Sequence, residues 1–263
     1  MRNFFVSLIP AGLCGKIFRF FATIKRPTFF ARFLISRFAK LYSIDVRLAD
    51  VPERGFSDLL EFFLREPKPE ARPVDADPDG LVTPTESLLS QMGFVSEKEI
   101  LVVKGEKCSF ETLMGRDCAA YEGGLYAILY LSPADFHRIY APCDARLLGA
   151  ELIRGAKKPV FLSWVEKHPD VFVTNQRVVM EFDTGRGRFI MAAVGALNVG
   201  EITTKFPLPS AGGFEARKGR EIAAFEFGST VVIAFEKDRF QWAETASLGS
   251  KILLGQALAR ARG

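Results

Sequence analysis

The chain has few of the residues that build most metal and redox sites. Its 263 residues include only two histidines and four cysteines, and the cysteines form no CxxC pair. Zinc sites usually need Cys and His ligands at close, regular spacing, so the sequence predicts no metal site. Scattered thiols without a disulfide framework are typical of a reducing compartment, which favours the cytoplasm.

Acidic residues are missing from the first 44 positions. This segment holds eight of the 35 Lys and Arg residues and none of the 31 Asp and Glu residues, together with nine of the 25 Phe residues. The rest of the chain is therefore net acidic. Nucleic-acid binding is not expected, because the basic segment carries Phe in place of the Tyr and Trp that usually stack on bases.

Long apolar runs are missing as well. A transmembrane helix needs about 20 nearly uninterrupted apolar residues, and basic side chains interrupt every candidate within 1–44. We favour a pair of helices broken near Pro27 that lie in the membrane interface, because a basic, Phe-rich segment suits anionic lipid. Arg37 would have to snorkel out of the apolar arc. That arc consists of Phe30, Phe33, Leu34, Phe38, Leu41 and Tyr42. The alternatives are a helix docked on the body of the protein and a cleaved signal sequence.

The remaining sequence predicts an α+β fold, with amphipathic N-terminal helices followed by a mostly antiparallel β-sheet core with a few inserted helices. Residues 45–80 indicate a short helix, capped by Ser57, and a Pro-rich connector. Residues 81–263 contain short β-like runs separated by Gly, Pro and Asp, with a hairpin turn at 183–187. The C-terminal tail from Ser247 is predicted to be a short basic helix or a frayed end.

The stretch KGREIAAFEFGSTV, from Lys218 to Val231, contains a candidate self-cleavage site. Gly228 permits the tight backbone geometry in which the Ser229 hydroxyl could attack the preceding carbonyl. The acyl group would move from nitrogen to oxygen, and the ester would break by β-elimination. Hydrolysis of the resulting dehydroalanine would leave a pyruvoyl group. Gly-Ser-Thr alone is common in turns, so the argument depends on the longer pattern.

That longer pattern, Lys-Gly-x-Glu-x-x-x-Phe-x-x-Gly-Ser-Thr-Val, resembles the processing site of the phosphatidylserine decarboxylase family. Three further segments resemble the family in the expected order. They are EFFLREPKPEARPVDADPDGLVTPTESLLSQMG, YLSPADFHRIYAPCDA and NQRVVMEFDTGRGRFIMAAVGALNVGEI. The resemblance runs, with gaps, from about Asp58 to the strand after Ser229, and four ordered matches are more specific than any one of them.

The resemblance implies roles for individual residues. Ser229 would be the nucleophile and the precursor of a covalent pyruvoyl cofactor, and cleavage between Gly228 and Ser229 would give fragments 1–228 and 229–263. His137 would donate a proton during decarboxylation. Glu86 and Tyr140 occupy the positions of the acid and base that, with the serine, form the processing triad of the family.

Both of these triad positions depart from the family pattern, which has Asp and His. Glu86 keeps the charge and adds a methylene. Tyr140 is a larger change, because deprotonating a phenol of pKa about 10 costs roughly 4 kcal/mol at pH 7. Two routes to maturation stay open: a slow cleavage that occurs once per molecule, or a cleavage in which His137 is the base and Glu86 reaches it.

The expected function is conversion of phosphatidylserine to phosphatidylethanolamine and CO2, through a Schiff base to the pyruvoyl group. Phosphatidylserine in an anionic membrane would be the partner, at the cytoplasmic face of the cell membrane and without a membrane span, and a homodimer is an open alternative to a monomer. The main rival is an unprocessed, non-catalytic lipid-binding homologue. A decarboxylase for another amino-bearing lipid or metabolite is the third alternative.

Overall fold

A computed structural model gives the structure of residues 20, 22–25, 28–103, 106–196, 201–226 and 228–262. Few helices accompany a large antiparallel sheet, so the predicted α+β fold class is confirmed. The first of the two predicted N-terminal helices lies almost entirely outside these residues. Residue 227, two positions before Ser229, also lies outside them.

The helices in the described part of the chain are short except for the first. The α-helices are α1 (Thr28–Leu41), α2 (Leu59–Phe63), α3 (Phe110–Met114), α4 (Leu162–Val165) and α5 (Val171–Thr174). Single 3-10 turns occur at Val46–Leu48, Pro69–Ala71 and Ala119–Tyr121.

The strands in the described residues are β1 (Ala49–Asp50), β2 (Glu66–Pro67), β3 (Gly80–Val82), β4 (Ser87–Phe94), β5 (Glu99–Val103), β6 (Glu106–Ser109), β7 (Leu125–Leu131), β8 (Arg138–Tyr140), β9 (Ala145–Ile153), β10 (Arg177–Asp183), β11 (Arg188–Gly195), β12 (Ile202–Thr204), β13 (Glu215–Ala216), β14 (Glu221–Phe225), β15 (Ser229–Phe235), β16 (Phe240–Trp242), β17 (Lys251–Ile252) and β18 (Ala257–Ala261).

Eight strands form the main sheet in the order β13-β9-β10-β11-β15-β7-β4-β17, and all neighbours in it are antiparallel. All seven residues of β15 are buried, as are seven of the eight in β11. These strands carry continuous apolar runs in place of an alternating pattern, as expected when both faces of a sheet are covered. The sheet centre is therefore the hydrophobic core, and β15 lies within it.

Two three-stranded sheets accompany the main one. One has the order β12-β14-β8, and the other has the order β16-β18-β3. Strand β14 ends four residues before Ser229, and β8 starts directly after His137. The first small sheet therefore holds the chain close to both Ser229 and His137, while Ser229 itself belongs to β15 of the main sheet.

Helix α1 divides its apolar residues between two faces. Ile35, Phe38 and Ala39 pack against α2 in a small cluster that is separate from the main core. Phe29 and Phe33 are exposed to 72% and 56%. The predicted arc is thus split, with Phe38 half-buried against the cluster and Phe33 facing outward. Within the described residues, no helix is long and apolar enough to cross a membrane.

Two local predictions need correction. The cap of α2 is Asp58, whose carboxylate accepts a hydrogen bond from the Glu61 amide at 2.7 Å, and Ser57 is one residue too early. The C-terminal tail forms β17 and β18 in place of a helix, and Leu258 is fully buried. The helix propensity of its Ala and Leu residues is weak compared with pairing against β3 and packing in the core. The predicted hairpin is present between β10 and β11.

Candidate active site

Ser229 is the first residue of β15 and lies in the interior of the main sheet. It is opposite Gly195 of β11 on one side and Leu131 of β7 on the other. The preceding residue, Gly228, has φ +38°, a conformation that glycine adopts at much lower cost than residues with a Cβ atom. The backbone therefore bends sharply at the peptide that carries the predicted cleavage site.

The hydroxyl groups at this strand end are buried without partners. Ser229 Oγ and Thr230 Oγ1 make no hydrogen bond to any described residue, and both side chains are almost fully buried. Buried polar atoms are nearly always paired, so an unpaired hydroxyl needs an explanation, of which a catalytic role is one. Burial keeps bulk water away from the Ser229 hydroxyl, so water does not compete with it for a catalytic base.

His137 is fully buried, and its ring contacts Phe63 at a centroid distance of 3.9 Å. Its Nδ1 lies 2.9 Å from the backbone oxygen of Asp135. A carbonyl oxygen can only accept, so Nδ1 carries the proton and Nε2 carries the lone pair. Nε2 has no partner among the described residues. The ring thus presents a free acceptor nitrogen.

The charge state of His137 is set by its surroundings. Burial lowers its pKa to about 3, against the hydrogen bond to the Asp135 carbonyl, which raises it, and the positive charges of Arg65 and Lys251 lower it further. His137 is therefore neutral at physiological pH in the intact chain. The protonated form, once generated, is a stronger acid than an exposed imidazolium.

Two short tethers bring His137 and Ser229 to the same end of the main sheet. The His137 carbonyl accepts a hydrogen bond of 3.0 Å from the amide of Phe225, four residues before Ser229. Leu131 lies opposite Ser229 and is six residues before His137. The two residues are therefore linked through β14, which contains Phe225, and through β7, which contains Leu131.

Glu86 precedes β4 at the same end of the sheet. Leu88 of β4 lies opposite Tyr130 of β7, and Tyr130 lies opposite Thr230, which places β4 two strands from β15. The Glu86 carboxylate is buried and is paired with Arg72, and Lys251 Nζ lies 3.6 Å from it. Its charge is offset by these two cations.

Tyr140 lies on β8, where its amide donates to the carbonyl of Pro84 at 2.9 Å. Its side chain lines a cavity of about 620 Å³ together with Arg72 and Lys218. Burial raises the pKa of its phenol above the ordinary value. Within the described residues no hydrogen bond joins Glu86 to Tyr140 or His137, so the three predicted residues share a region without forming a relay.

The sequence of this chain matches a known protein family and several curated proteins. The family model for phosphatidylserine decarboxylase matches residues 59–260. The chain belongs to the phosphatidylserine decarboxylase family. A phosphatidylserine decarboxylase proenzyme of Brevibacillus brevis is 34% identical over 247 residues, which covers 88% of both chains. Proenzymes of the same name from Ectopseudomonas mendocina and Pseudomonas putida are 32% and 31% identical, and the second covers 98% of this chain and 97% of its own.

Membership of the phosphatidylserine decarboxylase family confirms the resemblance that the sequence motifs indicated. The matched region includes Glu86, His137, Tyr140 and Ser229, and it spans the predicted cleavage point. The roles of these residues stay predictions, because family membership does not test them one by one.

Sequence reasoning missed the charged residues that surround this site. Lys251 pairs with Asp135 as well as approaching Glu86, and Arg72 pairs with Glu86. The buried Arg65 donates to the Ala134 carbonyl at 2.5 Å, and burial lowers its pKa to about 10. Only Asp135 had a local signal, since Ser-Pro-Ala-Asp is a typical turn sequence. The others meet their partners through long-range contacts that no spacing rule reveals.

Proposed function

We propose that this chain is a phosphatidylserine decarboxylase that matures by cleaving itself between Gly228 and Ser229. The observation that carries the proposal is a buried, unpartnered Ser229 hydroxyl that follows a glycine with positive φ, at the same sheet end as a neutral His137. The curated relatives are named phosphatidylserine decarboxylase proenzymes, which supports a precursor that must be processed.

Self-cleavage begins with attack by Ser229 Oγ on the carbonyl carbon of Gly228. His137 Nε2 takes the hydroxyl proton; the two atoms are not hydrogen bonded in this structure, so the ring must approach the hydroxyl or act through one water. The Gly228 acyl group moves from the Ser229 nitrogen to its oxygen as that nitrogen is protonated. Loss of the Ser229 α-proton then expels the Gly228 carboxylate and leaves a dehydroalanine. Water hydrolyses it with release of ammonia, and residue 229 becomes a pyruvoyl group.

His137 is a better base for this step than Tyr140. Its Nε2 holds a lone pair at neutral pH, whereas burial raises the pKa of the Tyr140 phenol and keeps it protonated. Glu86 is occupied by Arg72 and Lys251, so it neither orients nor charges the imidazole directly. The position at which the family has its second histidine is therefore not needed as the base in this chain.

A pyruvoyl group supplies a carbonyl that acts as the electron sink when an amine-bearing substrate loses CO2. The buried site suits such a group, because the Thr230 hydroxyl and His137 Nε2 are unpartnered polar atoms held away from water at this end of the sheet. His137, once protonated, can give its proton readily, since burial makes the imidazolium a stronger acid than an exposed one. We assign it the delivery of the proton that replaces the carboxyl group.

Helix α1 supports a peripheral position on an anionic membrane, with phosphatidylserine as substrate. Its outward face carries Phe29, Phe33 and Leu41, all exposed, and the basic residues Arg32 and Arg37 are exposed on the same helix. Apolar rings flanked by cations suit the headgroup region of an anionic bilayer. We propose that this face docks on the cytoplasmic surface of the membrane. A homodimer stays a prediction, which mass photometry of the purified protein can decide.

A denaturing gel and intact-mass spectrometry test the self-cleavage proposal. Wild-type protein should separate into a large fragment and one of 35 residues, the latter beginning with a pyruvoyl group. Ser229→Ala should stay intact, and Ser247→Ala, a change at an exposed serine of the same fragment, should cleave normally. A wild-type chain that stays whole with an unmodified Ser229 would refute the proposal and leave an unprocessed lipid-binding homologue.

Flotation with liposomes tests the membrane proposal. Wild-type protein should float with vesicles that contain phosphatidylserine and much less with neutral vesicles. Replacing Phe29, Phe33 and Leu41 by Ser should reduce binding, while Phe94→Ser removes an exposed ring away from α1 and should not. Equal flotation of the triple variant and wild type would count against docking through this face.

A further inference from the structure

Lys251 is the cation shared by two buried carboxylates. Its ammonium group pairs with Asp135 and lies 3.6 Å from Glu86. The Lys251 side chain is 44% exposed, whereas those of Asp135 and Glu86 are 2% and 7% exposed. Lys251 is thus the point at which this charge cluster reaches solvent, and it belongs to the small fragment, across the predicted cleavage point from both carboxylates.

Asp135 organises the turn that carries His137. One carboxylate oxygen accepts hydrogen bonds from the amide and hydroxyl of Ser132 at 2.8 and 3.0 Å. The other oxygen faces Lys251. The backbone carbonyl of Asp135 accepts from His137 Nδ1 at 2.9 Å. The Asp135 side chain therefore helps to fix the carbonyl that orients the imidazole, together with Arg65 Nη2, which lies 3.3 Å from the same oxygen.

No other cation in the described residues pairs with the Asp135 carboxylate. Arg72 pairs with Glu86, and Arg65 contacts Asp135 only through its backbone carbonyl, at 3.3 Å. Without Lys251 the Asp135 carboxylate would be buried with only the Ser132 donors. An unpaired buried charge is strongly unfavourable, so the turn would shift toward solvent.

We propose that Lys251 is a positioning residue for His137. By holding the Asp135 carboxylate, it keeps the Asp135 carbonyl on Nδ1, fixes the imidazole in the tautomer with the proton on Nδ1, and leaves Nε2 as the free acceptor. This inference rests on the proposed function insofar as His137 is the base that acts on Ser229. It assigns to the small fragment a contribution beyond Ser229 itself.

Nitrogen NMR reads the tautomer of His137 directly and does not depend on cleavage. The chain has two histidines, so ¹⁵N-histidine labelling gives few signals. In Ser229→Ala protein, which should stay intact, His137 should show one tautomer. Adding Lys251→Met should give a mixture of tautomers or a changed Nδ1 shift, and Lys251→Arg should restore the original signals. Lys158→Met, which removes a cation from the exposed pair with Asp170, should change nothing.

Cleavage rates link the tautomer to chemistry. In the chain that keeps Ser229, Lys251→Met should slow self-cleavage by up to about 100-fold, because a misplacement of about 1 Å at a reacting group can cost that much. Lys251→Arg should recover most of the rate, and Lys158→Met should match wild type. Rates are compared below the unfolding temperature of every variant, so that loss of fold does not contribute.

Two results would overturn the inference. Unchanged His137 signals in Lys251→Met would show that Lys251 does not set the tautomer. A changed tautomer with an unchanged cleavage rate would show that the tautomer does not limit the reaction. A wild-type chain that never cleaves would instead refute the proposed function, while the NMR result in the Ser229→Ala background would still decide whether Lys251 positions the ring.

Discussion

Burial of His137 predicts a loss of stability in mild acid. Its pKa is about 3 in the folded chain and about 6.5 in an unfolded one. Because the folded-state value is depressed, the stabilisation is complete above pH 6.5 and is lost progressively as the pH falls from 6.5 toward 3. Each pH unit below 6.5 removes about 1.4 kcal/mol, so His137 alone should cost about 2 kcal/mol at pH 5 compared with pH 8.

Urea unfolding of the uncleaved Ser229→Ala protein at pH 8 and pH 5 measures this loss. Other groups also titrate in this range, so the test compares the pH-dependent difference with that of a variant carrying His137→Asn. Removing the ring changes stability at both pH values, but only the titration of His137 enters the difference. His168 is exposed, and His168→Asn serves as the matched control.

We expect the loss between pH 8 and pH 5 to be about 2 kcal/mol smaller in His137→Asn than in the parent, and unchanged in His168→Asn. If the His137→Asn protein loses as much stability as its parent, the imidazole is not held neutral by burial. In that case the assignment of a free lone pair to Nε2 at neutral pH would be wrong too.

Three further predictions concern the surroundings of Ser229. Because His137 is the proposed base, Tyr140→His should leave the self-cleavage rate on gels unchanged, and a faster rate would show that an imidazole at this position takes part. Arg72→Met leaves the buried Glu86 carboxylate short of a cation and should lower the free energy of unfolding on the order of 3 kcal/mol. Arg217→Met, at an exposed pair, should cost less than about 1 kcal/mol in the same urea titration. Equal losses in the two variants would contradict the value for Arg72. Gly228→Ala should cost about 1 kcal/mol through its positive φ and should also slow cleavage, while Gly185→Ala, with φ +77° in the β10–β11 turn, should carry only the stability cost; normal cleavage of Gly228→Ala would show that the bend is not required.

Local patterns in the sequence were sufficient to predict the antiparallel sheet and the hairpin between β10 and β11. The turn between β10 and β11 has the Asp-Thr-Gly residues that such a loop needs, and each flanking strand is an apolar run. The prediction for the C-terminal tail was wrong. Its Ala and Leu residues favour a helix, and only contacts with distant strands make it form β17 and β18. Propensity is a weak signal when a short segment completes a core.

The residues of the candidate site also divide into those that the local sequence predicted and those that it did not. Ser229 and His137 stand in motifs whose residues are close in sequence, so the resemblance located them. Arg72 and Lys251 act through carboxylates far from them in sequence, and their neighbours give no sign of it. The stretch around Arg72 was predicted only as a Pro-rich connector, yet the Asp75 amide is hydrogen bonded to the Gly255 carbonyl at 2.9 Å. Long-range ion pairs of this kind depend on the fold and not on spacing.

Strand β15 lies between β11 and β7, with Ser229 as its first residue. A backbone break at that point would therefore create a new chain terminus without creating a loose end. In the small fragment, β15 would stay hydrogen bonded to β11 and β7, and β17 and β18 would stay paired with β4 and β3. The small fragment could dissociate only if the centre of the main sheet unfolded. The new N-terminus at residue 229 would therefore be held in place by the same sheet in which cleavage occurs.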